Sequence, residues 1–330
     1  MQTLVKILFL TLTMFWIVGC TQEPSGSEYL YFGWIPDGSG LVALKNNNDE
    51  TKTEVCVYNQ KGELLKQYRL GLYIPRPVYD DRLLSSNRLG TFYLESGDCL
   101  FLVNYTTEEN TLLLKGEYFI GASPSGNRIM TWRSLADSME FKIYTLHNGE
   151  ILSYVSKRYH EDVNFRPYSG FSDRTFLNDS LWVACYSDSG GCNLTMFNDD
   201  FGIVSPIIDS LGGSFSRFAS NINKLFYTAS DAIKYFDLNT NQTDYITYER
   251  PYTASFGVDL NGKYCIYSVN EEKRYGIRPG TLKLYSFEKR SETTIASGIV
   301  SGGQVSPDGK SVAYFTNENK DIHPHIYTIP

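Results

Sequence analysis

The sequence predicts an all-β fold: a β-propeller of seven blades, mostly of four antiparallel strands each, with six blades as the alternative count. Three observations predict it. A strand–turn–strand unit, Gln304-Val-Ser-Pro-Asp-Gly-Lys-Ser-Val-Ala-Tyr314, recurs in weakened form along the chain. The recurrences fall about 45 residues apart, the length of a four-stranded blade. No stretch carries a long helical period, and 25 Tyr and 19 Phe supply the aromatic residues that suit strands.

The unit itself is a hairpin. In Ser306-Pro-Asp-Gly309 the proline presets φ, the aspartate can bond the turn backbone, and glycine takes the left-handed position. Aligned on Gly309, its echoes are Gly38, Ser86, Gly126, Asn178, Ile222 and Gly262. A third strand follows at a regular offset, as in Glu54 to Tyr58, Phe141 to Leu146, Asn193 to Phe197, Ile233 to Asp237, Leu282 to Ser286 and His325 to Ile329. Many of these lead through a polar turn into a fourth strand, such as Glu63 to Arg69. Such a sheet cannot bury both faces alone, so neighbours must stack around an axis. Seven periods fill residues 29–330 as a single domain. The last period ends with its third strand, which predicts a three-stranded final blade. Pro324 suits its edge, where fewer ladder donors are needed.

Residues Gln304 to Tyr314, closing with Asp321 to Ile329, resemble the PD40 (WD40-like) repeat of TolB-type propellers, and the repeats at Gly38, Gly126 and Gly262 match it in part. The resemblance implies a propeller and leaves the activity open. Repeats of this kind also build the propellers of prolyl-oligopeptidase-like proteases and of some oligogalacturonate lyases.

Residues 1–20 read as a targeting segment. Lys6 precedes the apolar run Ile7 to Val18, and Ile17-Val18-Gly19-Cys20 follows. The run is shorter than the roughly twenty residues a membrane span needs. Its form is similar to a bacterial lipoprotein signal, which implies removal of the leader and acylation of Cys20. The expectation is a lipid-anchored protein of the bacterial cell envelope, at the outer membrane on its periplasmic side or at the cell surface. Residues 21–28 are a polar tether with Pro and Gly. Without the leader, 29 Lys and Arg stand against 37 Asp and Glu. That acidic balance argues against a nucleic-acid partner.

The chemistry-bearing motifs are few. The sequence has no G-x-S-x-G elbow, P-loop, H-E-x-x-H or paired C-x-x-C, and no cofactor or catalytic residue is expected. Gly38-Ser-Gly40-Leu-Val-Ala43 formally fits a dinucleotide fingerprint but leads into a strand, where that site needs a helix. Asp321, His323 and His325 alternate along a strand and are weak candidates for a metal. Cys185 and Cys192 flank a short loop, so a disulfide or two free thiols are both open; Cys56, Cys99 and Cys265 read as small buried hydrophobes.

One pattern points to a ligand. Arg76-Pro-Val-Tyr79, Arg166-Pro-Tyr168 and Arg250-Pro-Tyr252 fall in joins between blades, and Arg278-Pro279 in a second-to-third-strand loop. In a propeller these connections share one face. Guanidinium groups beside Tyr rings there could hold carboxylates or stack on sugars and peptides. The expected function is a binding or scaffold module for an envelope protein, a peptide or a glycan. The alternative is a polysaccharide lyase or glycosidase with its site at the channel mouth.

Overall fold

The structure is a computed structural model that describes residues 28–46, 53–72, 84–85, 90–123, 125–160, 174–188, 191–208, 218–220, 224–228, 232–247, 256–259, 262–270, 279–318 and 321–330. Every regular element in them is a β-strand, and each blade is an antiparallel meander read outward from the axis. Blade one is β1 Glu28–Trp34, β2 Gly40–Asn46, β3 Thr53–Asn59 and β4 Leu64–Arg69. Blade two is β5 Leu84–Ser85, β6 Thr91–Ser96, β7 Cys99–Asn104 and β8 Glu109–Lys115. Blade three is β9 Tyr118–Ala122, β10 Arg128–Ser134, β11 Ser138–His147 and β12 Glu150–His160. Blade four is β13 Arg174–Phe176, β14 Leu181–Asp188, β15 Gly191–Asn198 and β16 Ile203–Ile208. Blade five is β17 Phe218–Ser220, β18 Lys224–Thr228, β19 Ile233–Asp237 and β20 Gln242–Thr247.

Blades six and seven share a strand. Blade six is β21 Phe256–Val258, β22 Tyr264–Asn270, β23 Pro279–Ser286 and the first part of β24 Ser291–Val305. The chain then continues without a loop. Ile299 still pairs with Pro279 of blade six, whereas Val300 pairs with Thr316 of blade seven. Gly298, at φ +112°, supplies the bend that only glycine adopts easily. Blade seven is completed by β25 Ser311–Glu318 and β26 Asp321–Thr328. Among the described residues it has three strands, with β26 outermost and Pro324 on that edge.

The inner strands follow one another around the axis, and the second half of β24 returns to β1, so the ring closes. Seven apolar clusters fill the seven seams between blades. The seam of blades six and seven holds Ile266, Leu282, Leu284, Val305 and Val312. The closing seam holds Trp34, Leu41, Ala43, Cys56 and Tyr58 against Ala313 and Phe315. Across it the Trp34 indole Nε1 donates to the Gln304 carbonyl at 2.9 Å. Cys56 and Cys265 are buried as the strand pattern suggests, but Cys99 is only half-buried because it opens β7 next to a hairpin turn.

The repeated turn does the work its residues suggest. The Ser306 N–H donates to the Ser311 carbonyl at 2.8 Å and the Gly309 N–H to the Ser306 carbonyl at 2.8 Å. The Ser306 hydroxyl donates to Asp308 Oδ1 at 2.6 Å, a bond that holds this carboxyl below the usual aspartate range. Gly38, Gly126, Gly262 and Gly309 all sit at positive φ. Two echoes are displaced. The second strand begins two residues after the aligned position in five blades, but β6 begins five residues after Ser86 and β14 three after Asn178. In blade four the turn is one residue shorter, closed by the Leu177 N–H on the Leu181 carbonyl. There the Asn178 side chain accepts the Ser180 and Leu181 N–H groups in place of a glycine turn.

Candidate functional site

The strands fix which connections share a face. Fourth strands end, and the next inner strands begin, on the face where second strands pass to third strands. Arg76 and Tyr79 fall between β4 and β5, Arg166 and Tyr168 between β12 and β13, Arg250 and Tyr252 between β20 and β21, and Arg278 between β22 and β23; all seven lie outside the described residues. So does Cys20. Asp321 and His323 pair with Glu318 and Thr316 along β26, and their side chains are likewise outside the description. His325 is exposed, with Nε2 2.7 Å from the Thr316 hydroxyl and its ring stacked on Tyr314 at 5.3 Å. Among the described residues no three His, Cys, Asp or Glu side chains gather as a cation site. Cys185 pairs in register with Leu194 and Cys192 with Ser187. The two cysteines are therefore diagonal across the hairpin, and its strands run past both of them to Asp188 and from Gly191.

On this same face the described residues of blades two and three form a polar cluster at the upper end of their seam. It starts from a short join. Only Gly116 and Glu117 separate β8 from β9, so Glu117 enters the seam directly, 6 % exposed. Three side chains from β10 and β11 of blade three converge on its carboxylate. Lys142 Nζ donates to Oε1 at 2.5 Å, the Thr131 hydroxyl to Oε2 at 2.5 Å, and the Tyr144 hydroxyl lies 3.0 and 2.9 Å from the two oxygens. Burial pushes this carboxyl up, but the bonds from Lys142, Thr131 and Tyr144 together outweigh it and hold the group below the usual glutamate range. The same environment pushes the Tyr144 hydroxyl up, first by burial and then by its bond to Glu117.

Two residues along, Glu140 takes the Arg133 guanidinium at 2.6 Å, with Arg158 at 3.5 Å. From the other side of the seam comes Glu95 of β6, whose Oε1 accepts the Phe119 N–H at 3.2 Å. Burial pushes Glu95 up to about 7, against the lowering effect of that bond. Two carboxyls on facing blades thus differ in protonation, one held ionised and one poised near neutrality. Glu117 has its oxygens occupied by three donors, so its role is to clamp the seam. Glu95 is the group that can hold or release a proton.

The opposite side of blade three presents aromatic rings. Tyr118, at the start of the inner strand, pairs with Trp132 across the sheet and stacks on it at 5.0 Å and 26°. Tyr118 remains 43 % exposed, and Arg133, the next residue on β10, keeps its side chain 40 % exposed. By strand alternation the Arg133 guanidinium lies on the other side of the sheet, at Glu140, so the exposed aromatic pair stands without it, at residues the sequence did not single out. The signal for the polar cluster was faint: the alternation Glu140, Lys142, Tyr144 against Thr131 and Arg133, polar groups repeating inside apolar strands.

No protein-family model matches the sequence and no curated protein matches it. Solved structures do. An oligogalacturonate lyase from Vibrio parahaemolyticus superimposes with TM-score 0.61 at 11 % identity, covering 92 % of this chain and 90 % of that one. Hsv2 from Kluyveromyces lactis gives 0.53 at 10 % identity, over 92 % and 98 % of the two chains. TolB from Acinetobacter baumannii gives 0.47 at 11 % identity, over 87 % and 76 %. At these identities the likeness is one of fold, and by fold this chain is a β-propeller.

Proposed function

We propose that this chain is a lipid-anchored propeller of the bacterial cell envelope, held at the outer membrane through Cys20, that binds a protein, peptide or glycan at its mouth as a recognition or scaffold module. The observation that carries the reading is the exposed Tyr118 ring, stacked on Trp132 where the inner strand of blade three begins at the mouth. Stacked rings offer a flat apolar surface, and guanidinium groups of the Arg-bearing joins would add directed donors for a carboxylate. The segments bearing Arg76, Tyr79, Arg166, Tyr168, Arg250, Tyr252 and Arg278 belong to the same proposal, since the strands around them end on this face.

Oligogalacturonate, a chain of rings each bearing a carboxylate, is the first probe, because a fold neighbour is named as a lyase of it. Titration should show binding without breakdown, and Tyr118→Ala should weaken it about tenfold, the loss of roughly 1.4 kcal/mol of stacking. No binding by the parent chain would remove the glycan arm. The second reading, a polysaccharide lyase or glycosidase, draws on Glu95, whose carboxyl near neutrality suits proton transfer. Accumulation of unsaturated or shortened sugars, abolished by Glu95→Gln, would favour it.

Membrane attachment has its own test. Cys20→Ser should move the protein out of the membrane fraction and end its labelling by a fatty-acid analogue; unchanged fractionation would refute an anchor at Cys20.

A further inference from the structure

We propose that Glu95 is a proton-operated latch on the aromatic pair: ionised, it holds the first two residues of β9 through the Phe119 N–H, and on taking up a proton it slackens that hold. The proposal rests on the reading of Tyr118 and Trp132 as the binding surface and adds the regulation of that surface.

The held step is short and bounded on both sides. Thr131 pairs with Phe119 but Met130 with Gly121, so Ile120 is a bulge that breaks the ladder between them. On the other side Gly116, at φ +78°, turns the chain out of β8, and Glu117 is fixed by Lys142, Thr131 and Tyr144. Tyr118 and Phe119 lie between this turn and the bulge. Blade two reaches them through the 3.2 Å bond from the Phe119 N–H to Glu95 Oε1. The Phe119 ring packs in the seam of blades two and three, and the Tyr118 ring stacks on Trp132 on the other side of the strand. A shift of one residue therefore carries the other.

Glu95 is placed to respond to solution pH. It is half-buried at the mouth end of its seam, where water and protons reach it. Burial pushes its carboxyl up to about 7, and the Phe119 bond acts in the opposite direction. A bond that favours the ionised form is, by reciprocity, stronger to that form. The other titratable and charged groups at this end of the seam are engaged elsewhere or stand apart. From blade two they are Tyr93, whose hydroxyl donates to the Gly126 carbonyl at 2.8 Å, then Asp98 and Cys99, in contact at 3.4 Å, and Lys115 at the end of β8. From blade three Lys142 meets Glu117 at 2.5 Å, with Tyr144 on the same carboxylate, and Arg133 and Arg158 meet Glu140 at 2.6 and 3.5 Å. The balance at Glu95 is thus between burial and one backbone N–H.

Amide exchange at Phe119 measures the latch without any ligand, in the full-length chain in mild detergent. Corrected for the intrinsic effect of pH, its protection should fall about tenfold from about pH 8 to about pH 6, the difference between a charged and a neutral acceptor. Glu95→Gln keeps the size and offers a neutral acceptor, so its protection should be low and equal at both values. Global stability should move the other way. The folded carboxyl titrates above its ordinary value of 4.5, so its contribution is full below that value and is lost as pH rises through about 7. A merely structural Glu95 would move local protection and global stability together; a latch moves them in opposite directions. Oligogalacturonate should bind the parent about threefold more weakly at the lower pH, as the fraction of chains with Tyr118 in place falls, and Glu95→Gln equally at both. Absence of binding at both values overturns the glycan reading alone, since the exchange result needs no ligand. Phe119 protection that does not change with pH, or that changes equally in Glu95→Gln, would overturn the latch.

Discussion

Lys142→Met is expected to destabilise the fold by about 3–5 kcal/mol, because it leaves the Glu117 carboxylate charged in a closed seam without its cation. The two side chains are 10 % and 7 % exposed and meet at 2.5 Å. Methionine keeps nearly the volume of lysine, so the cost reports charge rather than a cavity. The sign of the pH dependence follows from the direction in which Glu117 is displaced. Its carboxyl is held below the usual range, so its contribution in the parent protein is present above the ordinary glutamate pKa and is lost as pH falls through the lower folded value. In the variant the Lys142 bond is gone and burial dominates, so the carboxyl rises and accepts a proton more readily. The deficit of Lys142→Met should therefore be largest near about pH 7 and shrink towards about pH 4. Adding Glu117→Leu should recover most of the loss, as replacing a whole buried pair by apolar groups often does. Denaturant unfolding at both pH values measures all three effects. A deficit below about 1 kcal/mol, or one that does not change with pH, would mean that the seam does not depend on this ion pair.

The blades were legible where their turns use chemistry that a sequence displays. Gly38, Gly126, Gly262 and Gly309 each occupy a left-handed position, and the strands after them begin where the alignment placed them. Blade four is different because Asn178 builds its turn with a side-chain oxygen and saves one residue, which no glycine announces. Blade two is displaced by three residues from its aligned position, and residues 86–89 of that turn are outside the described set. The fusion of blades six and seven through β24 was also hidden. A loop-free join leaves no turn residues to read, only a run of Ser, Gly and Val that each half of the strand could claim.

The polar cluster was less legible than the blades for a geometric reason. Its members come from β6, the β8–β9 join, β10 and β11, and they meet only because even and odd positions of each strand are assigned to particular seams. A shift of one residue in any strand would turn its members to the other seam. Sequence spacing shows that Glu140, Lys142 and Tyr144 share a face, but not that Glu117 meets that face from the β8–β9 join, nor that Glu95 reaches the Phe119 N–H from the facing blade. The aromatic shelf has the same origin, since Tyr118 and Trp132 are partners only through the register of β9 with β10.

Trp34→Ala is expected to cost about 3–5 kcal/mol, the range for removing a large buried aromatic side chain. Trp34 is 7 % exposed and lies in the seam that closes the ring. Among the described residues the first and last blades share no strand: β1 is innermost in blade one and β26 outermost in blade seven. Among those residues closure rests on side-chain packing and on contacts such as the indole bond to the Gln304 carbonyl, between residues far apart in the sequence. Such contacts are won only after the intervening chain has been ordered, so they carry the entropy of closing the whole ring. Trp34→Phe retains most of the apolar surface and should cost less, about 1 kcal/mol for the lost hydrogen bond plus a small packing term. The location of the damage is as informative as its size. If the seam is the latch, limited proteolysis of Trp34→Ala should cut first within β24 to β26, before any cut in blades two to five. A Trp182→Ala control opens an interior seam, where Trp182 is 1 % exposed beside Phe197 and Phe201, at similar cost but without that order of cleavage. Equal patterns from the two variants would show that closure is no weaker than any other seam, and that blade seven is held by more than its packing on blade one.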